Sequence, residues 1–388
     1  MNSNMEFSFS TANEIRFGNG IAQSIADFLP DRYERCLTLT GSSPERHDPI
    51  LKNLTASGRT VESASATEEP TVDTIDSLVQ QAKRFSPDVV IGIGGGSVLD
   101  AGKAIAALVA NPGDLIEYLE VVGQGKPLAH PAIPYMAVPT TAGTGSEVTR
   151  NSVIGVPNKN VKVSLRSSSM LPRWAVVDPE LTYSLPKTVA AYTGMDALIQ
   201  CLEAYLSRFA NPLTDGIALE GLKRAAQSIR KACSETPDPE AKADMCVASL
   251  CSGIALANAK LGAVHGFAGP IGGMINAPHG ALCSSLLLAV LRMNTEIARR
   301  RDPDGIVSRK LDQVAKVLTG NASANAHYAI AWIDALIKDL PLPALGDLGF
   351  QHSHIPAAAE MSAKSSSMKG NPVDLDPADL QEILKECL

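Results

Sequence analysis

Short β-branched runs punctuate the first half of this 388-residue chain and are gone after Pro186. Arg35-Cys36-Leu37-Thr38-Leu39-Thr40, Asp88-Val89-Val90-Ile91-Gly92-Ile93, Tyr135-Met136-Ala137-Val138-Pro139 and Trp174-Ala175-Val176-Val177-Asp178 read as strands, and residues 72–84 as a helix among them. Strands separated by helices predict a mostly parallel sheet covered on both faces. Beyond Pro186 helical patterns take over, across residues 187–206, 210–233, 240–258, 281–300, 305–318 and 322–339. The expectation is an α/β domain over residues 1–186 and an all-helical domain over residues 187–388, which the length accommodates as two cores.

The strand at residues 88–93 runs straight into Gly94-Gly95-Gly96-Ser97, and a helical pattern with Ala101, Ala104, Ile105 and Leu108 on one face follows at once. Glycines at such a turn let a ligand approach the backbone, and the free N–H groups of a helix start attract an anion. The spacing is neither G-x-G-x-x-G nor a Walker A loop. Ligands of parallel sheets sit outside the carboxyl ends of the strands. Gly41, Gly94 to Ser97 and Thr140 to Gly145 all fall at such ends, so three segments converge on one crevice suited to a nucleotide-type cofactor.

Hydrophobic residues make up 45% of the chain and charged residues 19%, which fits a soluble protein with large cores. A net charge of -7 argues against sequence-independent nucleic-acid binding, and no Lys/Arg cluster suits an anionic membrane surface. The seven cysteines are odd in number and scattered without C-x-x-C. They read as free buried thiols of a reducing cytoplasm. The first seven residues carry no basic-then-apolar leader pattern. From Cys246 to Cys283 there is one Lys and no Asp, Glu or Arg, but Gly, Asn, Pro and His break the run, so buried helices are expected there, not a membrane span.

Two histidines lie in that nearly charge-free stretch, His265 in Gly262-Ala263-Val264-His265-Gly266 and His279 in Pro278-His279-Gly280. Each reads either as a hydrogen-bonded core residue or as a ligand, since neutral imidazole binds Zn, Fe and Ni. Asp196, in Gly194-Met195-Asp196-Ala197-Leu198, supplies the carboxylate a divalent site needs, on an apolar helix where an unpaired carboxylate is costly. Gln200 follows at i+4, on the same helix face.

Gly94-Gly95-Gly96-Ser97-Val98-Leu99-Asp100, Pro139-Thr140-Thr141-Ala142-Gly143-Thr144-Gly145-Ser146-Glu147-Val148-Thr149, Asp178-Pro179-Glu180-Leu181, Gly194-Met195-Asp196-Ala197 and Pro278-His279-Gly280 occur in that order. Together, across nearly the whole chain, they resemble the iron-containing (group III) alcohol dehydrogenase family. The resemblance implies a Rossmann-like dinucleotide domain followed by a helical metal domain, the dehydroquinate synthase-like architecture, with the active site in the cleft between them. It implies hydride transfer between NAD(P) and an alcohol or aldehyde, and a homodimer. Gly95, Gly96 and Ser97 match the family's pyrophosphate loop. Thr140, Thr141, Thr144 and Ser146 match its second cofactor loop, and Lys162 a lysine near the cofactor ribose. Asp196, His265 and His279 match metal ligands, for Fe(II) or Zn(II).

The chain departs from that pattern at two places. The family's second ligand, a histidine, falls on Gln200, which offers only a neutral amide oxygen. A further histidine proposed to relay protons falls on Gly269. A three-ligand open site remains workable, as in the related glycerol dehydrogenases, and a catalytic metal wants an open position. NAD-preferring members carry an acidic residue after the first strand, where this chain has Thr40-Gly41-Ser42-Ser43 with Arg46 close behind. Hydroxyls and a nearby Arg, with no carboxylate, favour the 2′-phosphate of NADP, with Gly41 and Ser42 beneath the adenosine ribose. Glu45 or Asp48 taking the acidic role is the alternative.

Two rival functions share the fold. One is a sugar-phosphate cyclase-type lyase, which needs a cluster of basic groups that is not seen around Asp196 or His265. The other is a metal-free nucleotide-binding relative.

Overall fold

The computed structural model describes residues 6–159, 161–236 and 238–388; the first five residues, part of the stretch read for a leader, lie outside it. The chain divides into two compact units. One comprises Thr11–Thr141 and Gly145–Ser184; the other comprises Leu185–Leu388 with Ala142–Thr144 and residues 6–10.

The first unit carries β1 (Glu14–Phe17), β2 (Arg35–Thr40), α1 (Asp48–Ala56), β3 (Thr60–Ser65), α2 (Val72–Phe85), β4 (Val89–Gly94), α3 (Gly96–Val109), α4 (Leu115–Tyr118), β5 (Tyr135–Pro139), β6 (Asn151–Val156), β7 (Val161–Arg166) and β8 (Trp174–Val177). Six strands form one parallel sheet in the order β1-β8-β5-β4-β2-β3. β4 shows why its sequence is apolar without a break: Val89, Ile91 and Ile93 pack into one core and Val90 into the core on the opposite face. Burying each such side chain contributes about 1.5–3 kcal/mol. Gly102 lets α3 come down onto the sheet, because a Cβ there would stand 2.6 Å from the Tyr135 ring. The Tyr135 hydroxyl instead donates to the Leu99 carbonyl at 3.1 Å. β6 and β7 form a separate antiparallel hairpin, which the strand reading of the sequence does not contain.

Behind the strand ends this unit holds a buried charge network. Lys103 on α3 is fully buried, pairs with Asp100 at 3.0 Å, and donates to the Ser146 carbonyl and the Thr149 hydroxyl. Asp100 also accepts from the Ser146 hydroxyl at 2.5 Å and from the Val153 N–H at 2.8 Å. Burial pushes the neighbouring Glu147 carboxyl up from 4.5 to about 7, against the pull of its backbone hydrogen bond and of Lys103. A folded-state pKa above the unfolded one means stability that is present below pH 4.5 and lost as pH rises through 7. Two and a half units correspond to about 3 kcal/mol. We therefore expect Glu147→Gln to match the parent in urea denaturation near pH 4.5 and to exceed it by up to about 3 kcal/mol at pH 8; parallel stability profiles would contradict this account.

The second unit is helical throughout its described residues: α5 (Lys187–Leu206), α6 (Pro212–Ala232), α7 (Pro239–Ala259), α8 (Ala263–Ile275), α9 (His279–Arg301), α10 (Ile306–Thr319), α11 (Ala326–Asp339), α12 (Ile355–Ala363) and α13 (Pro377–Glu386). α5 is its centre, packed on α6, α7 and α9 and buried continuously from Gly194 to Leu206. α9 is long and apolar enough to cross a membrane, but its apolar window is 72% buried inside the unit, so it serves as a core helix. α8 lies in the Cys246–Cys283 stretch where buried helices are expected, although no helical pattern marks its own residues. Gly266, Gly269, Pro270, Gly272 and Gly273 are poor helix formers, and burial of Val264, Phe267, Ala268 and Ile271 in a helix packed on α9 and α12 offsets them.

Candidate active site

In the sheet unit, β5, β4 and β2 are neighbours, and the chain leaves β2 toward β3 but leaves β4 toward β5. Connections that diverge in this way open a crevice beyond the strand ends. Gly95 is the N-cap of α3 in extended conformation and has no side-chain cap, so the first amides of Gly96 and Ser97 have no intrahelical acceptor. The Thr140 N–H donates to the Gly94 carbonyl at 3.0 Å, and the Gly95 Cα faces the Thr141 side chain. Gly41 lies over Val98 of the same helix start, with Ser42 exposed beside it. Gly41, Gly95, Gly96, Ser97, Thr140 and Thr141 thus share one end of the sheet.

Three other residues matched to cofactor binding are placed differently. Ser146 directs its hydroxyl to Asp100, so it braces the loop from within. Lys162 lies on β7 with its ammonium paired to Glu69. Thr144 falls in the short segment that belongs to the helical unit.

In the helical unit, Asp196 on α5, His265 on α8 and His279 at the start of α9 meet. Asp196 Oδ1 is 3.2 Å from His265 Nε2 and 3.7 Å from His279 Nε2. The fourth member is Cys283, one turn after His279, whose Sγ is 3.8 Å from His265 Nε2 and 3.6 Å from His279 Nε2. The four ligand atoms all lie within 4.8 Å of one another. Cys283 is a free, buried thiol as the sequence reading expects, but its Sγ faces two imidazoles instead of only apolar side chains. The i, i+4 spacing from His279 was the signal available in the sequence.

Close helix approach builds this corner. A Cβ at Gly280 would sit 2.2 Å from the Tyr192 carbonyl, so only glycine lets the start of α9 reach α5 and bring His279 to Asp196. Glu203 is the other residue the sequence reading missed. It lies seven residues beyond Asp196, on the same face of α5. Its carboxylate accepts from the Val264 N–H (2.7 Å) and the His265 N–H (3.3 Å), and it holds His265 Nδ1 at 2.7 Å. A carboxylate only accepts, so Nδ1 carries the proton and Nε2 faces the cluster as a potential ligand.

Gln200 is not a member of the donor set. Its amide nitrogen donates to Asp196 Oδ2 at 2.8 Å, and its oxygen is turned to the Ser252 hydroxyl at 3.0 Å. The reverse orientation would put an amide oxygen against a carboxylate. Gly269, one turn beyond His265, is exposed, and a Cβ there would meet nothing within 4 Å.

The electrostatics favour a cation at the meeting point. Burial works against the Asp196 carboxylate, yet the imidazoles hold its pKa below the usual range. Burial likewise works against the Cys283 thiolate, and the same imidazoles hold it below 9.0. Cys283, ahead of the opposing effect of burial, raises His279 to about 9. His265 rises well above 6.5 because Cys283, Asp196 and Glu203 outweigh its burial. His279 keeps 44% of its side chain exposed, so one side of the site is open.

Comparisons with known proteins cover both units. A family model described as iron-containing alcohol dehydrogenase matches residues 12–179, and one for the C-terminal part of the same family matches residues 190–388. The chain is 30% identical over 383 residues to alcohol dehydrogenase 4 of Saccharomyces cerevisiae, covering 95% of each. A crystal structure of 1,3-propanediol oxidoreductase aligns with a TM-score of 0.90 and 30% identity, covering 99% of this chain and all of that one. Sulfoacetaldehyde reductase from Bifidobacterium kashiwanohense in complex with NAD+ aligns with a TM-score of 0.87 and 26% identity over 99% of each.

Proposed function

Since the chain belongs to the iron-containing alcohol dehydrogenase family along nearly its whole length, we propose that Asp196, His265 and His279 form the metal site of its oxidoreductase chemistry. The enzyme is a metal-assisted, NAD(P)-dependent dehydrogenase that interconverts an alcohol and an aldehyde or ketone by hydride transfer. The observation that carries the site is the convergence of one carboxylate and two imidazoles from three separate helices. Two nitrogens and an oxygen suit a borderline divalent ion, Fe(II) or Zn(II). A cation held by Asp196, His265 and His279 would supply Lewis acidity toward the substrate oxygen, and a bound nicotinamide would supply the hydride chemistry.

The chain's own residues do the rest. Asp196 supplies the negative charge that retains a cation, and Gln200 keeps its second oxygen engaged. Glu203 fixes the tautomer of His265. The free amides at the start of α3 would hold the pyrophosphate, with Thr140 and Thr141 at the same end of the sheet. By resemblance Thr144 and Ser146 belong to the second cofactor loop and Lys162 to the neighbourhood of the cofactor ribose; Ser146 acts by holding the loop to Asp100. Gly269 presents no imidazole, so protons enter or leave through water, the cofactor ribose or another side chain.

The coenzyme is NADP(H) in preference to NAD(H). Support comes from the end of β2, where Gly41, Ser42 and Ser43 lead into a short turn of helix carrying Arg46. We expect kcat/KM for NADPH to exceed that for NADH at least tenfold with a common aldehyde; a clear NADH preference would sink this assignment and point to Glu45 or Asp48. Oxidation of NADPH across a panel of small aldehydes, together with metal analysis, tests the activity itself. The homodimer and the cytoplasmic location rest on the resemblance and on seven free thiols. Light scattering and cell fractionation check them.

A further inference from the structure

We propose that Cys283 is a metal ligand, its thiolate completing an Asp–His–His–Cys set in place of the imidazole that Gln200 does not supply. The inference rests on the metal-assisted reading above and goes beyond it by naming a donor and a donor chemistry.

Geometry is the first support. A tetrahedral ion with bonds of about 2.0–2.1 Å to N and O and about 2.3 Å to S has edges of roughly 3.3 Å between N and O, and roughly 3.6 Å between N and S. The observed N···O edges are 3.2 and 3.7 Å. The N···S edges are 3.8 and 3.6 Å. Four of the six edges are therefore already close to those of one tetrahedral ion, and the other two are no longer than 4.8 Å.

Placement is the second support. Cys283 is fully buried, and its Sγ faces two imidazole nitrogens. It shares its helix face with His279, so one turn of α9 delivers both a nitrogen and a sulfur. α5 can deliver only Asp196, because Gln200 has its oxygen turned to Ser252. Four donors are thereby restored from a different helix. The set is softer than one carboxylate with three imidazoles, and thiolate favours Zn(II) over hard cations.

The test uses the full-length protein, stripped of metal and titrated with cobalt(II) under reducing, oxygen-free conditions. Cobalt bound by a thiolate shows an intense near-ultraviolet charge-transfer band, whereas cobalt bound by N and O donors shows only weak visible bands. The wild-type protein is expected to develop the intense band at one equivalent. Cys283→Ser and Cys283→Ala are expected to lose it and to bind Zn(II) more than about a hundredfold more weakly, beyond the 10–100-fold that loss of an outer partner costs. The wild-type spectrum needs no variant, so a misfolded substitution leaves the proposal exposed to refutation. Stoichiometric cobalt without the band would overturn the ligand role of Cys283 and leave the metal-assisted reading standing. A band that persists in a folded Cys283→Ala would do the same. Failure of the wild-type protein to bind cobalt or zinc at all would overturn both.

Discussion

The Asp196→Asn enzyme will copurify without metal and lose at least about a thousandfold in kcat/KM, a loss comparable to or larger than removal of a single oxyanion-stabilising donor. The substitution keeps the shape of the side chain and removes only its charge. That charge lies 2% exposed within 3.7 Å of both imidazole Nε2 atoms. Without it, two imidazoles whose protonation Asp196 helps to sustain face a cluster with one anion fewer, and a dication there loses its nearest counter-charge. The sheet unit contains none of these residues, so titration with NADPH should show coenzyme binding retained while turnover disappears. Turnover at a tenth of the parent rate or better, with the metal absent, would show that hydride transfer here needs no cation. The hydrogen-bond donors of the site would then have to carry the chemistry.

How much of this was legible in the sequence follows from what kind of signal each part leaves. The strands β2, β4, β5 and β8 are buried on both faces, and apolar runs, interrupted in β2 only by the buried Thr38 and Thr40 and its exposed Arg35, record that directly. β1 and β3 carry Glu14, Arg16, Glu62 and several hydroxyls, and their burial is partial because they lie at the sheet edges. Propensity alone does not find them. α8 fails the same way for the opposite reason: glycines needed for close packing weaken its helical signature while burial stabilises it. Asp196, His265 and His279 could be assembled because a charge or an imidazole in an apolar stretch needs a partner. For Cys283 the i, i+4 spacing from His279 was not enough, since a buried thiol is common and its surroundings in sequence, Ala281-Leu282-Cys283-Ser284, look like core. Only the meeting of α5, α8 and α9 distinguishes it from the cysteines that pack.

Glu203→Gln should weaken Zn(II) binding by about 10–100-fold, or about 1.4–2.7 kcal/mol, without touching the donor set. Glu203 is two helical turns from Asp196, and what it controls is the proton on His265. As a carboxylate it accepts at every contact: from the Val264 N–H, from the His265 N–H and from His265 Nδ1. Gln must still satisfy the buried Val264 N–H with its oxygen, which turns its NH2 group toward Nδ1. The ring then shifts its proton to Nε2, the atom that faces Asp196, and a protonated nitrogen cannot bind a cation. Because all the ligands remain, activity should recover as the metal concentration is raised, which Asp196→Asn cannot do. Wild-type zinc affinity in a folded Glu203→Gln protein would mean that the ring finds its tautomer unaided. Recovery of turnover with added zinc, absent in Asp196→Asn, would separate a residue that orients a ligand from one that is a ligand.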